Sequence, residues 1–257
     1  MNIYYRHVQL YNLKTCQKHY FWGVFIFFNI STMKTSVKLL LHAIVKLLSG
    51  LVIIASLLFL PAGTWCYIHA WLFLALLFVP MTMIGIWLYL SQPNLLAKRL
   101  GNKEIEQQQK KVVALSGLMF ISGFVLCALD YRFGWSSVPV WLVVGASVIF
   151  LLGYGMYAEV MRENAYLSRT VEVQKGQQLI DSGLYGIVRH PMYTATILMF
   201  MSIPLVLGSL WALPVFAVYP VLMVLRIQNE EQVLVEGLVG YSEYQKRVKW
   251  RLIPFVW

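Results

Sequence analysis

The chain has 257 residues, of which 59% are hydrophobic and only 12% charged, with a mean hydropathy of +0.66, whereas soluble domains carry about 45–50% apolar and about 25% charged residues. This balance excludes an ordinary soluble enzyme and a disordered scaffold, and the 3 isolated cysteines (Cys16, Cys66, Cys127) offer neither a disulfide framework nor metal-ligand spacing. A net charge of +10 would suggest nucleic acid in a soluble chain, but in a membrane chain the basic residues are read first as loop signals.

Residues 1–32 fit poorly with the rest of the chain. Their apolar run at 21–30 is too short to cross a bilayer, and Met33-Lys34-Thr35 reads like a start, so the segment is expected to be an upstream extension or an interfacial stretch. A hydrocarbon core about 30 Å thick takes roughly 20 helical residues. Four stretches supply them, at 39–60, 69–90, 112–129 and 138–157. The apolar run 193–225 holds Pro204, Gly208, Pro214 and Pro220 and is expected to fold as a hairpin split near Gly208-Ser209. The expected fold is therefore all-α, a polytopic integral membrane protein with about five or six transmembrane segments. It is organised as an N-terminal extension or cytoplasmic segment 1–38, a four-span membrane region 39–158 and a C-terminal region 159–257 that carries the hairpin.

Orientation follows from where Lys and Arg fall. If the hairpin returns, all lie on one side except Arg132, in an opposite loop, and Lys46, within the first span; of the acidic residues only Asp130 lies opposite. Both termini and any polar site are thus expected to face the cytosol. The basic excess becomes a topology signal, and no nucleic-acid partner is expected.

Polar chemistry concentrates at the hairpin's two ends. Pro191 suits the first position of a helix, which sets Arg189 and His190 beside free amides and a partial positive dipole, a setting for an anionic group. At the far end, Arg226 and Glu230 share a helix face one turn apart, with Glu231 on a neighbouring face. Each feature has a plain structural reading too. Arg189 can be a snorkelling anchor, His190 a helix cap, the Glu230-Glu231 pair a solvated helix end paired with Arg226, and Tyr241 and Tyr244 interfacial aromatics. The joint placement of both clusters on one side favours a site. Gly153 and Gly155 read as a close helix-packing surface.

These residues resemble the isoprenylcysteine carboxyl methyltransferase family in its bacterial branch. The resemblance rests on Ser182-Gly183-x-Tyr185, Arg189-His190-Pro191-x-Tyr193, Arg226-x-x-x-Glu230-Glu231, and the ending from Gly240-Tyr241-x-x-Tyr244 to Arg251-Leu252-Ile253-Pro254. It implies an all-helical fold that binds S-adenosylmethionine without a Rossmann domain, in a cytosol-facing pocket closed by the C-terminal segment. By position, the cofactor-binding residues would be Gln177, Gln178, Leu179, Ile180, Tyr185, His190, Pro191, Met192, Tyr193 and Glu230, with Gln174 held loosely. The catalytic pair would be Arg226, facing a lipophilic methyl acceptor, and Glu230; no metal is implied. The chain departs from the eukaryotic pattern in having fewer spans, Gln177-Gln178 in place of His-Thr, and a shorter segment before Tyr241. Alternative readings are a phospholipid N-methyltransferase, an NADPH-dependent enzyme of the sterol-reductase kind, and a non-catalytic membrane protein.

Overall fold

The fold is given by a computed structural model that describes residues 37–101, 107–167 and 173–257. The extension expected at the N-terminus lies outside the described residues up to position 36. By internal contact the chain divides into Met1–Val45 and Lys46–Trp257. Of the first unit, the described part is a largely exposed helical stretch. The second unit holds the remaining helices and the candidate site.

Every described element is helical. Four helices are long and apolar enough to cross a bilayer: α1 (Val37–Ala62), α2 (Ile68–Ser91), α4 (Gln107–Phe133) and α5 (Val140–Glu163). Between α2 and α4 lies α3 (Pro93–Gly101), which sequence reasoning left as a basic loop. It forms because Leu95 and Leu96 bury one face while Lys98 and Arg99 end the helix, where cations suit its dipole. After a 3₁₀ turn (Gly183–Gly186) come α6 (Pro191–Val206), the short α7 (Leu213–Phe216), α8 (Val218–Gly237) and α9 (Tyr241–Arg247). The chain is an all-α, polytopic membrane protein, with large apolar side chains exposed along α1, α2, α4 and α5, where a soluble protein would bury them.

The hairpin breaks where expected, at Gly208, whose φ of +76° suits glycine. Its arms are unequal: α6 spans 16 residues and α8 spans 20. α6 packs closely along α5, and the cause is Gly153, where an added Cβ would lie 2.5 Å from Met199 Cγ and 2.9 Å from the Ala195 carbonyl. α4 holds α8 through Gln109, whose Nε2 donates to Asn229 Oδ1 at 2.8 Å. One apolar core joins α2, α4, α5, α6 and α8 and takes in Leu252 and Trp257 from the C-terminal segment. The tail is thereby held at the start of α6.

Candidate active site

α6 starts at Pro191 because that position needs no amide donor and its fixed φ is helical. Just upstream, the Arg189 amide donates to the Trp250 carbonyl and the His190 amide to the Arg251 carbonyl, both at 2.9 Å. The C-terminal segment thus occupies these two residues' own amides, while the α6 amides of Tyr193 and Thr194 turn back to the His190 carbonyl. Thr194 Oγ1 adds a third tie, donating to the Leu252 carbonyl at 2.8 Å.

Glu231, only 5% exposed, is the centre of a buried ionic network. It accepts from Arg189 Nε at 2.7 Å and Arg251 Nε at 2.8 Å, and it lies 3.2 Å from His190 Nε2. Arg189 Nη1 also donates to the Val248 and Lys249 carbonyls. Burial opposes ionisation of the Glu231 carboxyl, but hydrogen bonds from His190, Arg189 and Arg251 prevail and pull it down to about 2. The reading of Glu231 as part of a solvated helix end paired with Arg226 is overturned, because its partners come from α6's start and the tail. Arg189 likewise points into the protein and does not snorkel to headgroups.

Glu230 points elsewhere, since successive residues on a helix are rotated by about 100°. The Tyr193 hydroxyl donates to Glu230 Oε2, and Arg226 Nε donates to the same hydroxyl at 2.9 Å. Arg226 and Glu230, one turn apart on α8, are thus joined through a tyrosine of α6. The Arg226 guanidinium also lies 6.0 Å from that ring's centroid, within cation–π range.

Arg189, His190, Tyr193, Arg226 and Glu230 line one open-mouthed cavity. Its walls include Gln177, Gln178, Leu179, Ile180, Tyr185, His190, Pro191, Met192, Tyr193, Arg226 and Glu230, so the structure brings every candidate site residue together. Gln174 does not line it. Its side chain instead accepts from Lys98 Nζ at 2.6 Å and donates to the Tyr166 carbonyl, tying the Gln177–Ile180 strap to α3. The 3₁₀ turn that carries Tyr185 begins at Gly183, where φ is +51° and any Cβ would collide with the Glu163 carboxylate. Tyr185 is fixed from both sides: its hydroxyl accepts from Asn164 Nδ2 at 2.9 Å, and its carbonyl accepts from the Tyr244 hydroxyl at 2.7 Å. Burial pushes its phenol up to about 12 against the opposing Asn164 hydrogen bond.

Sequence reasoning missed Tyr241. It was expected at the interface with Tyr244, yet both are buried, packed with Val173, Leu179 and Leu234. The Tyr241 hydroxyl is buried against the cavity and has no hydrogen-bond partner among the described residues. Burial, with the charges of Glu231 and Glu230 nearby, raises its pKa. The available signal was the i, i+3 spacing of two tyrosines behind a glycine, which marks one buried face of a short helix.

Comparison with known proteins adds two findings. Residues 140–238, from α5 through α8, match the model of the phospholipid methyltransferase family. Curated relatives include Delta(14)-sterol reductases. The chain is similar to the enzyme of Mus musculus (37% identical over 91 residues, 34% of this chain and 22% of the relative). It is also similar to the enzyme of Methylotuvimicrobium alcaliphilum (23% over 138 residues, 47% and 32%) and to that of Arabidopsis thaliana (28% over 134 residues, 47% and 35%). The matched region thus spans between about a fifth and a third of these relatives' length.

Proposed function

We propose that the chain is a membrane-embedded, S-adenosylmethionine-dependent methyltransferase acting on a lipophilic acceptor, with an isoprenylcysteine-like carboxylate as the acceptor class. The observation that carries this reading is the charge inventory of the cavity. Glu230 faces it as one carboxylate beside the Arg226 guanidinium and the His190 imidazole, whereas Arg189, also in its wall, is committed to Glu231 and two carbonyls. That inventory suits a ligand with a cationic centre better than a dinucleotide carrying several phosphates. Tyr185, Tyr193 and Tyr241 add aromatic faces favourable to a cation, and the orphaned Tyr241 hydroxyl offers a ligand a donor at no cost to the fold. The family match over α5 to α8 supports the same reading.

When bound, S-adenosylmethionine supplies a methyl group on a cationic sulfur that departs as a neutral thioether, so charge is dispersed and positioning outweighs base strength. Glu230 holds the cationic end, and the Arg226–Tyr193 pair fixes that carboxylate's rotamer. Arg226 also orients an acceptor carboxylate, which is ionised at neutral pH and needs no base. An amine acceptor would need one, and Glu230 is then the candidate, because Glu231 is consumed by Arg189 and Arg251. The cavity faces the cytosol in this reading, on the basic side of the membrane.

The sterol-reductase relatives support a second reading, an enzyme that binds NADPH in the same cavity. Calorimetry of the purified protein in detergent separates the two. The expected result is binding of S-adenosylmethionine and none of NADPH. Tyr241→Phe should weaken that binding by about 3- to 10-fold, as one lost hydrogen bond does, and Glu230→Gln by about tenfold or more. Tight NADPH binding without S-adenosylmethionine binding overturns the proposal. Recovery of the transferred methyl as a base-labile ester, and not as a stable N-methyl group, tests the acceptor class.

A further inference from the structure

The turn that follows Leu252 shows apolar side chains to the outside at the polar end of the molecule. Ile253, Phe255 and Val256 are all exposed, Phe255 at 86%. The φ of Phe255 is +68°, in the left-handed region where an L side chain is strained and glycine is the ordinary choice. The turn is nevertheless well tied. The Trp257 carbonyl accepts from the amides of Arg251, Leu252 and Ile253, and the Val256 and Trp257 amides donate to the Ile253 carbonyl. The Trp257 ring lies 4.9 Å from the Arg251 guanidinium and packs against the apolar core. A tied and strained turn therefore displays an aromatic ring that the protein leaves largely uncovered, although the Trp250 ring stands 5.5 Å from it.

Depth and charge identify what covers this ring. Thr194, in the first turn of α6, donates to the Leu252 carbonyl, and the hydroxyl of the preceding Tyr193 meets Arg226 of α8. At that level the outward face of α8 changes from exposed Val221 and Leu225 to exposed Gln228 and Gln232. The turn thus stands where the helical surface passes from hydrocarbon to water. Lys246, Arg247 and Lys249 are exposed just ahead of it, against one exposed acid, Glu243. Arg247 is paired with Asp181 and Arg251 with Glu231, which leaves Lys249 as the cation next to the turn. Apolar tips beside outward-facing lysines complement a leaflet that carries anionic headgroups.

We propose that the 253–256 turn inserts into the bilayer leaflet at the site end of the molecule, with its apolar tips among the acyl chains and Lys249 against an anionic phospholipid headgroup. The strain at Phe255 is then offset by burial of its ring in lipid. The segment continuous with the turn supplies the carbonyls that take the Arg189 and His190 amides, so the anchor also steadies one wall of the cavity. None of this depends on which reaction the cavity performs.

The test uses the full chain in nanodiscs of phosphatidylcholine and phosphatidylglycerol. Cys16→Ser and Cys66→Ser clear the background, since Cys127 is buried, and Val256→Cys carries a nitrobenzoxadiazole fluorophore. Phosphatidylcholine with a nitroxide high on its acyl chain should quench the label strongly, and iodide in the buffer weakly. Phe255→Gly places glycine where φ is positive, so the protein should fold as wild type does by circular dichroism while lipid quenching falls about threefold or more. Phe255→Leu should retain the quenching. Moving the nitroxide to phosphatidylglycerol at the same mole fraction should deepen it, and Lys249→Gln should reduce that anionic preference about three- to fivefold. A label quenched by iodide and not by lipid puts the turn in water and overturns the proposal. Undiminished lipid quenching in folded Phe255→Gly does the same, because the fluorophore alone is then seeking lipid. Shielding from both quenchers means that protein covers the turn, which also overturns it. Equal quenching by the two lipids overturns the headgroup assignment.

Discussion

Glu230 and Glu231 are chemically identical neighbours, and the helical rotation between them gives them different work. Glu231 turns toward Arg189, Arg251 and His190 and knits the C-terminal segment onto the start of α6. Glu230 turns toward the cavity. The pair was legible in the sequence as a cluster, but which glutamate faced which partner was not, since the deciding residue, Arg251, lies 20 positions downstream. Tyr241 was hidden for a related reason: an amphipathic ring near a membrane reads as interfacial until packing shows its burial. The network sets a pH signature. The Glu231 carboxyl is held down to about 2 in the folded chain, so its stabilisation is complete above the ordinary carboxylate range and is lost as pH falls through the folded value. Glu231→Gln should cost about 3–5 kcal/mol at neutral pH, because it strands buried arginine charge. Thermal melts in detergent should show the gap to wild type closing as pH drops from about 5 toward about 2. A gap of constant size across that range would mean the carboxylate's charge is idle.

At the scale of elements, hydropathy sufficed for the four long helices because length and apolarity are what a bilayer demands. It failed for α3, where nine residues with a half-charged face cannot be told from a basic loop. The hairpin was legible from its prolines and Gly208, but the device that holds its apex was not. Asp130, 1% exposed, was notable in sequence only as an isolated acid. In the fold it accepts from the Ser136 amide at 2.8 Å, from Ser209 Oγ at 2.5 Å and from Ser136 Oγ. Those serines in turn accept from the Leu210 and Ala212 amides. One carboxylate thus ties the α4–α5 loop to the hairpin turn, assisted by the Tyr67 hydroxyl on the Leu207 carbonyl at 2.6 Å. Asp130→Ala leaves several buried donors unpaired and should destabilise the chain by about 2 kcal/mol or more. Because the apex lies at the other end of α6 from Glu230, ligand affinity in protein that remains folded should change less than twofold. Melting in detergent alongside calorimetry checks both halves.

For the molecule as a whole, the helices connect so that the α1–α2 loop, the α4–α5 loop and the hairpin apex fall at one end, where the Tyr131 hydroxyl donates to the Cys66 carbonyl. The α3 segment, the Gln177–Ile180 strap, the ion network and the tail fall at the other, and they carry Lys98, Arg99, Arg189, Glu231, Lys249 and Arg251. In the proposed orientation, which follows the positive-inside rule, the site end faces the cytosol. A methyl donor made in the cytosol can reach the cavity only in that orientation, so topology and chemistry stand or fall together. The chain's own cysteines allow a direct test, since Cys66 is exposed and Cys127 is buried. In a Cys16→Ser background, a membrane-impermeant maleimide applied to intact cells should label Cys66, while Cys127 stays silent. Val239→Cys, at a position 93% exposed beside the cavity lining, should react only after permeabilisation. The opposite pattern would turn the cavity away from the cytosol and leave the proposed methyl donor without a route to Glu230.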